Sequence, residues 1–483
     1  MNTNNQPNII YILADDMGYG DISYLNENSK IHTPYLDQMG REGMVFTDAH
    51  SSSAVCTPSR YSILTGRYNW RSTLKYGVLR GYNGSLIEQG RETVASMLQQ
   101  AGYHTACVGK WHLGLDWARN SDELSDVDFT KPIENGPNRF GFDYYYGISA
   151  SLDMDPYVYI ENDRVTMLPD HLTKNDDMKA FWREGPTAPD FKHEEVLPKL
   201  TSKVLEKIEE YRDSPFFIYF PMPAPHTPIL PTPEFVGKSG TNLYGDFVLM
   251  CDDVVGQIMK KLDELNLSDN TIVVYTSDNG CSPRANYEEL LSVGHNPSYV
   301  FRGHKADIYE GGHRIPLLVK WPMRIAPGSI SAEPVCLVDL MRTMAEIIGF
   351  SIPDHAGEDS VSNLPCWLGN DLSEPLREAI VHHSLDGSFS IRQGRWKLEL
   401  CPGSGGWSYP RPGEEPPGTP DIQLYDLHAD LGERNNVYDR YPKVVVLLKS
   451  LLKRYIQEGR STPGSVQQNT GPAQWNHMDW MVF

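Results

Sequence analysis

The chain reads as an α/β protein: a mostly parallel sheet sandwiched by helices, followed by a smaller C-terminal unit of antiparallel sheet plus helix. Three observations carry that expectation. Continuous apolar runs of strand length recur through the first two thirds of the chain, as strands buried on both faces require. Amphipathic helical spacings lie between them, and this alternation is the pattern of parallel strands joined by crossover helices. After about Phe350 the runs shorten and follow one another closely, which suits antiparallel neighbours.

Taken in order, Asn8 to Ala14 is the first buried strand. A helix over 92–101 carries Val94, Met97, Leu98 and Ala101 on one face and stops at Gly102. Strands follow at 105–108 and 215–220, separated by an amphipathic helix over 196–211. Another helix over 243–265 leads into strands at 271–276 and 316–319. Short strands at 379–383, 389–391 and 396–400 form the small sheet, 402–420 is a Gly/Pro-rich irregular loop, and a helix over 444–456 closes the unit. The tail 459–483 carries no assignable pattern. These textures divide the chain into a main domain over 1–350 and a C-terminal subdomain over 351–483.

With 483 residues, 40% of them hydrophobic and 22% charged, the chain can bury a large core and is not disordered as a whole. A formal charge of −20 argues against nucleic acid and anionic membrane surfaces as partners. It also means that any site for an anionic substrate must be a local basic pocket. The seven cysteines are an odd number with no C-x-x-C pair, so neither a zinc site nor a disulfide framework is indicated. No stretch approaches the roughly 18–20 apolar residues of a membrane span. The polar start runs directly into the first strand, which leaves no room for a signal peptide and favours a cytoplasmic location over an export signal trimmed from the chain.

In open parallel sheets, ligands sit beyond the carboxyl ends of the strands. The first strand ends in Asp15-Asp16, adjacent carboxylates that repel unless a cation neutralises them. The strand at 271–276 runs into Ser277-Asp278-Asn279-Gly280, which as a turn signal alone would mean little. Together the two ends offer three carboxylates and an amide, hard oxygen donors suited to Ca2+ or Mg2+ rather than zinc. Cys107-Val-Gly-Lys110-Trp-His112 presents a cation and an imidazole two residues apart, on the same side if the segment stays extended. His226 lies among prolines after the strand at 215–220, where the backbone is held rigid. Cys56-Thr57-Pro58-Ser59-Arg60 places a lone thiol before a helix start, either an activated, low-pKa thiol or the precursor of something more reactive.

The run Cys56-x-Pro58-Ser59-Arg60 with Leu64-Thr65-Gly66 resembles the maturation signature of the type I sulfatases, members of the alkaline phosphatase superfamily. Motifs similar to theirs extend from Asp15 to Lys305. The resemblance implies an alkaline-phosphatase-like fold and a Cys56 oxidised by a formylglycine-generating maturation enzyme, whose hydrated aldehyde attacks sulfur. It implies Asp15, Asp16, Asp278 and Asn279, with modified Cys56, as ligands of Ca2+, with Mg2+ second. It gives Arg60, Lys110 and Lys305 the task of meeting sulfate charge, His112 that of deprotonating residue 56, and His226 that of contacting the leaving group. Glu310-Gly-Gly-x-Arg314 resembles a family turn, in which Arg314 is structural.

For the substrate, Ser151 in Gly147-Ile-Ser-Ala-Ser151-Leu-Asp153 resembles a sulfate-contacting serine, although the histidine that follows it in relatives is missing. Trp70-Arg71, just past the nucleophile helix, and the aromatic stretch from Phe140 to Tyr146 are placed to touch a sugar, although core packing is the commoner role of such aromatics. The pattern is similar to bacterial carbohydrate sulfatases acting on galactose or N-acetylgalactosamine sulfate, so a sulfated sugar or an aryl sulfate is the expected substrate. Two other readings share these residues. One is a phosphonate monoester or phosphodiester hydrolase with the same nucleophile; the other is an unmatured protein that only binds sulfated glycans.

Overall fold

The computed structural model describes residues 6–482. Residues 1–5, most of the polar start read above as leaving no room for a signal peptide, and Phe483 lie outside the described residues. In chain order the main sheet contains β1 (Asn8–Ala14), β2 (Met44–Phe46), β3 (His104–Lys110), β4 (Tyr144–Ile148), β5 (Ile160–Glu161), β6 (Arg164–Val165), β7 (Phe216–Pro221), β8 (Thr271–Ser277), β9 (Leu317–Lys320) and β10 (Ser329–Ser331). Their order across the sheet is β10-β2-β9-β8-β1-β7-β3-β4-β5-β6. The centre is parallel: β1 pairs with both β7 and β8, β7 with β3, and β3 with β4. β9 runs antiparallel to β8, so the 316–319 run reverses the direction of the sheet.

The central strands are apolar along their whole length because both faces are covered; Ile9, Ile10, Ile12, Leu13, Ile218, Ile272 and Val274 are all buried. The helices α1 (Pro34–Glu42), α2 (Cys56–Thr65), α3 (Val94–Gln100), α4 (Val196–Glu210), α5 (Leu243–Glu264) and α6 (Leu340–Ile348) form two packed groups over the sheet. α1 and α4 both touch α5, whereas α2, α3 and α6 touch one another. Thr93 caps α3 by accepting from Ser96 N, and Asn242 caps α5 by accepting from Tyr244 N and Gly245 N.

The C-terminal unit is a four-stranded antiparallel sheet, β11 (Ile380–His383), β12 (Phe389–Gln393), β13 (Trp396–Glu399) and β14 (Gln423–Asp426), with α7 (Pro442–Glu458) on one face. The fourth strand follows the Gly/Pro-rich loop and has too short an apolar run to stand out in the sequence. Phe389, Ile391, Leu398, Leu448 and Leu452 share one core with Tyr68, Trp70 and Val338 from earlier in the chain. This packing docks the small sheet against the segment that leads into α2, where Ala54 N donates to His383 O at 2.9 Å. None of the described helices is long and apolar enough to cross a membrane.

Candidate active site

β8, β1, β7 and β3 are neighbours in the sheet, so residues from 15 to 279 meet beyond their carboxyl ends. The backbone sets the positions. Asp278 N donates to Ala14 O at 3.1 Å and Asp15 N to Ala224 O at 3.0 Å, so the strands stay registered as they end. Asp16 then adopts a left-handed φ of 67°, which turns the chain out of the sheet. Cys56 is the first residue of α2, not a loop residue before it, and every residue of that helix is buried. Gly66, at φ 62°, ends the helix.

The structure brings together Asp15, Asp16, Asp278, Asn279, Cys56, Arg60, Lys110, Lys305 and His226. Cys56 Sγ lies 3.6 Å from Asp15 Oδ1. Lys110 Nζ is 2.5 Å from Asp15 Oδ2, and Lys305 Nζ is 2.6 Å from Asp16 Oδ1. Arg60 donates through Nε and Nη2 to Asp278 Oδ2 at 3.0 and 2.8 Å, and through Nη1 to Lys110 O at 2.8 Å. Asn279 Nδ2 donates to Asp16 Oδ1 at 2.8 Å, while its Oδ1 is buried without a partner. His226 Nε2 lies 3.6 Å from Asp16 Oδ2.

An orphaned amide oxygen amid three gathered carboxylates is a donor set for a hard divalent cation. Asp15, Asp16, Asp278 and Asn279 Oδ1 therefore fit such an ion, with residue 56 beside them. Burial opposes ionisation of Asp15, but Lys110, then His226, Arg60 and Lys305, hold its carboxyl well below the usual carboxylate range. Asp278 goes the other way, pushed up to about 6 by burial and by Asp15 against the pull of Arg60.

Burial also pushes the Cys56 thiol up to about 12, although Lys110 and Lys305 pull it down. A neutral buried thiol is a poor nucleophile at neutral pH, which speaks against the activated-thiol reading and for a precursor of something more reactive. His112 sits at φ 55°, so the chain leaves the extended conformation before its imidazole is presented. Its Nε2 lies 2.8 Å from Leu79 O, which fixes Nε2–H and leaves Nδ1 buried with a free lone pair. Burial, then Lys110 and Arg60, push its pKa well below the ordinary histidine value, which favours the neutral imidazole.

The sulfatase family profile matches residues 7–350. The chain belongs to the sulfatase family. An N-acetylgalactosamine-6-O-sulfatase of Bacteroides thetaiotaomicron is 35% identical to this sulfatase, with 93% of each chain covered. An N-acetylgalactosamine-6-sulfatase of Mus musculus is 31% identical over 83% of this chain and 73% of its own. A solved structure described under metabolism of multiple glycosaminoglycans by Bacteroides thetaiotaomicron matches with a TM-score of 0.82 at 34% identity, covering 93% of this chain and 99% of the other. The sulfatase is thus a sulfuric ester hydrolase on an alkaline-phosphatase-like fold.

Cys56, His112, His226, Lys305 and Ser151 open onto one cavity of about 720 Å3. Arg71 does not, and its expected contact with a sugar is corrected. Its side chain is fully buried, with Nε and Nη2 on Asp359 at 2.7 and 2.8 Å and Nη1 on Tyr455 O at 2.9 Å. After Gly66 the chain turns away from the cavity into the second core, so closeness to the nucleophile helix in sequence is not closeness to substrate. Phe140 and Phe142 likewise pack on Trp111 in the main core. Arg314 pairs with Glu310 and Asp48, a buried structural role. Sequence reasoning missed much of the cavity wall, including Asp153, Arg183 and Arg284. They lie on a turn (Asp153), a hairpin (Arg183) and a single 3-10 turn over Pro283–Ala285 (Arg284), where no periodicity marks them. Arg284 had one usable signal, its position six residues after Asp278.

Proposed function

We propose that this sulfatase releases sulfate from a sulfated sugar, with N-acetylgalactosamine 6-sulfate the leading substrate and a galactose sulfate the second. Residue 56 acts as formylglycine beside a bound Ca2+. The observation that carries the reading is the convergence of Cys56, His112, His226 and Lys305 on one cavity, with the acidic cluster and Lys110 packed behind them. Relatives at 35% and 31% identity named for N-acetylgalactosamine 6-sulfate support the sugar.

Asp15, Asp16, Asp278 and Asn279 Oδ1 are the groups that would hold the cation. When bound, the cation polarises a sulfate oxygen, and the hydrated aldehyde at residue 56 supplies the attacking hydroxyl and a second one for release. The protein groups balance as they stand: Lys110, Lys305 and Arg60 offset Asp15, Asp16 and Asp278. A divalent cation adds positive charge that no side chain of this set offsets, and an incoming sulfate meets it. This local surplus reconciles an anionic substrate with a chain of net charge −20. Lys110 and Lys305 turn from their carboxylates toward sulfate oxygens, while Arg60 stays locked on Asp278. His112 Nδ1 takes the proton from residue 56. His226 Nε2, 3.6 Å from Asp16 Oδ2, delivers a proton to the departing alcohol oxygen.

The test is turnover by the matured protein against defined sulfated monosaccharides, with sulfate release followed in Ca2+ and after chelation. The 6-sulfate of N-acetylgalactosamine should be cleaved in preference to its 4-sulfate, with loss on chelation. Equal turnover of both, or activity on aryl sulfates alone, would remove the sugar assignment. His226→Gln should lower kcat about a hundred- to ten-thousandfold on a sugar sulfate. The same variant should lose far less on 4-nitrophenyl sulfate, whose phenolate departs without a proton.

A further inference from the structure

The cavity extends beyond the space one sulfate needs, and its outer wall is basic. Arg80, Arg183, Arg284 and Arg411 all line it. Arg183 is neutralised by Asp153, 2.5 Å away. Among the described residues, Arg80, Arg284 and Arg411 make no ion pair. Arg411 donates only through Nε to Trp407 O at 2.9 Å, and the Arg284 guanidinium lies 5.8 Å from the centre of the Phe181 ring. Three guanidiniums without carboxylates around one cavity run against the composition of a chain whose acids outnumber its bases, 63 to 43. Such forks meet carboxylate or sulfate through paired N–H donors.

The rim is held in place. Asp307 is fully buried, and its Oδ1 accepts from Trp407 N at 2.8 Å and Ser408 N at 3.0 Å, while Oδ2 accepts from His304 N at 2.9 Å. One carboxylate thus ties the loop of Trp407 and Arg411 to the loop of Lys305. Gly406 is pressed so close that a Cβ there would lie 2.4 Å from Ala306 O. Deeper in the cavity wall, Ser151 Oγ and Asp153 Oδ1 are buried without partners, free to meet sugar hydroxyls.

We infer that Arg284 and Arg411, with Arg80, form a second anion site that binds a carboxylate or a further sulfate on the same saccharide. The preferred substrate is then an acidic oligosaccharide rather than an isolated sulfated ring. This rests on the sulfated-sugar reading above. Because the loop that carries Arg411 is already tied down by Asp307, the contact there costs little backbone ordering, and its effect falls on affinity.

The probes are N-acetylgalactosamine 6-sulfate, its 4,6-disulfate, its disaccharides with a hexuronic acid on either side, and the same disaccharides with the carboxyl reduced to hydroxymethyl. Binding is measured by calorimetry on the Cys56→Ala protein, which holds ligand without turnover. At least one uronate disaccharide should bind about tenfold or more tighter than its reduced form. That ratio should fall to near one in Cys56→Ala protein carrying Arg284→Gln and Arg411→Gln, with the thermal midpoint unchanged because both side chains are exposed. A gain for the disulfate over the monosulfate, lost in the same variant, assigns the site to sulfate instead. If no charged probe gains more than twofold over its counterpart, or the gain survives both substitutions, the inference is wrong. Turnover of the monosaccharide by the unaltered matured enzyme is read separately. Its absence would strike the sugar reading while the binding ratios still judge the rim.

Discussion

Cys56→Ala should reduce sulfate release by about ten-thousandfold or more, the loss typical when a covalent nucleophile is removed from an otherwise intact site. The expectation follows from position and chemistry together. Residue 56 lies 3.6 Å from Asp15 at the start of α2, and burial pushes its thiol up to about 12, away from the thiolate that a sulfur nucleophile needs. Cys56→Ser separates two explanations. A hydroxyl could attack once, but it has no geminal partner to expel the sulfate, so turnover should stop while a stoichiometric adduct accumulates. Mass analysis of the peptide containing residue 56 reads the aldehyde in active protein and the adduct in the serine variant. Full activity in protein whose residue 56 is entirely thiol would overturn the proposed chemistry.

Arg71→Ala should be the most damaging single change away from the cavity, costing about 3–5 kcal/mol of stability by stranding a buried carboxylate. Asp359 is fully buried; burial opposes its charge, and Arg71 is the chief group that holds its pKa below the ordinary value. The same guanidinium reaches Tyr455 O in α7 and Asn469 in the tail, so the loss should loosen the C-terminal unit first. Arg71→Lys should recover little, because one ammonium cannot replace the fork. Denaturant midpoints measure the cost, and KM of the remaining folded enzyme should stay at the parent value. A raised KM with unchanged stability would restore the sugar-contact reading. The sign with pH is fixed by the depressed pKa. The pair contributes fully above the unfolded aspartate pKa of about 3.9 and loses its contribution as pH falls through the lower folded value. Parent and variant midpoints should therefore converge in acid.

These two residues also mark what the sequence makes legible. Strands such as Asn8–Ala14 and Thr271–Ser277 are visible because burial on both faces demands unbroken apolar runs. The polar residues that end them then stand out as site residues, since the sheet order makes those ends neighbours. Arg71 was misread because sequence adjacency to Cys56 says nothing once Gly66 turns the chain. Arg183, Arg284, Trp407 and Arg411 lie on a hairpin, a single helical turn and a loop, too short or irregular to carry a period, and hydrogen bonds such as those of Asp307 reveal that the Gly/Pro-rich loop belongs to the cavity. His112 was assigned a direction from an extended backbone that its φ of 55° does not have. The acidic strand ends needed only topology; the rim needed coordinates.

Cys56 exposes just 2% of its surface, and the whole first turn of α2 is equally enclosed. An oxidising catalyst as large as a protein cannot lay its own active centre against that sulfur once the sheet and helices have closed over it. Under the proposed chemistry, conversion of the side chain would have to precede closure, on nascent or newly released polypeptide. Protein refolded from a denatured, unconverted pool would regain its shape and stay inert, and a host lacking the converting activity would yield soluble but silent molecules.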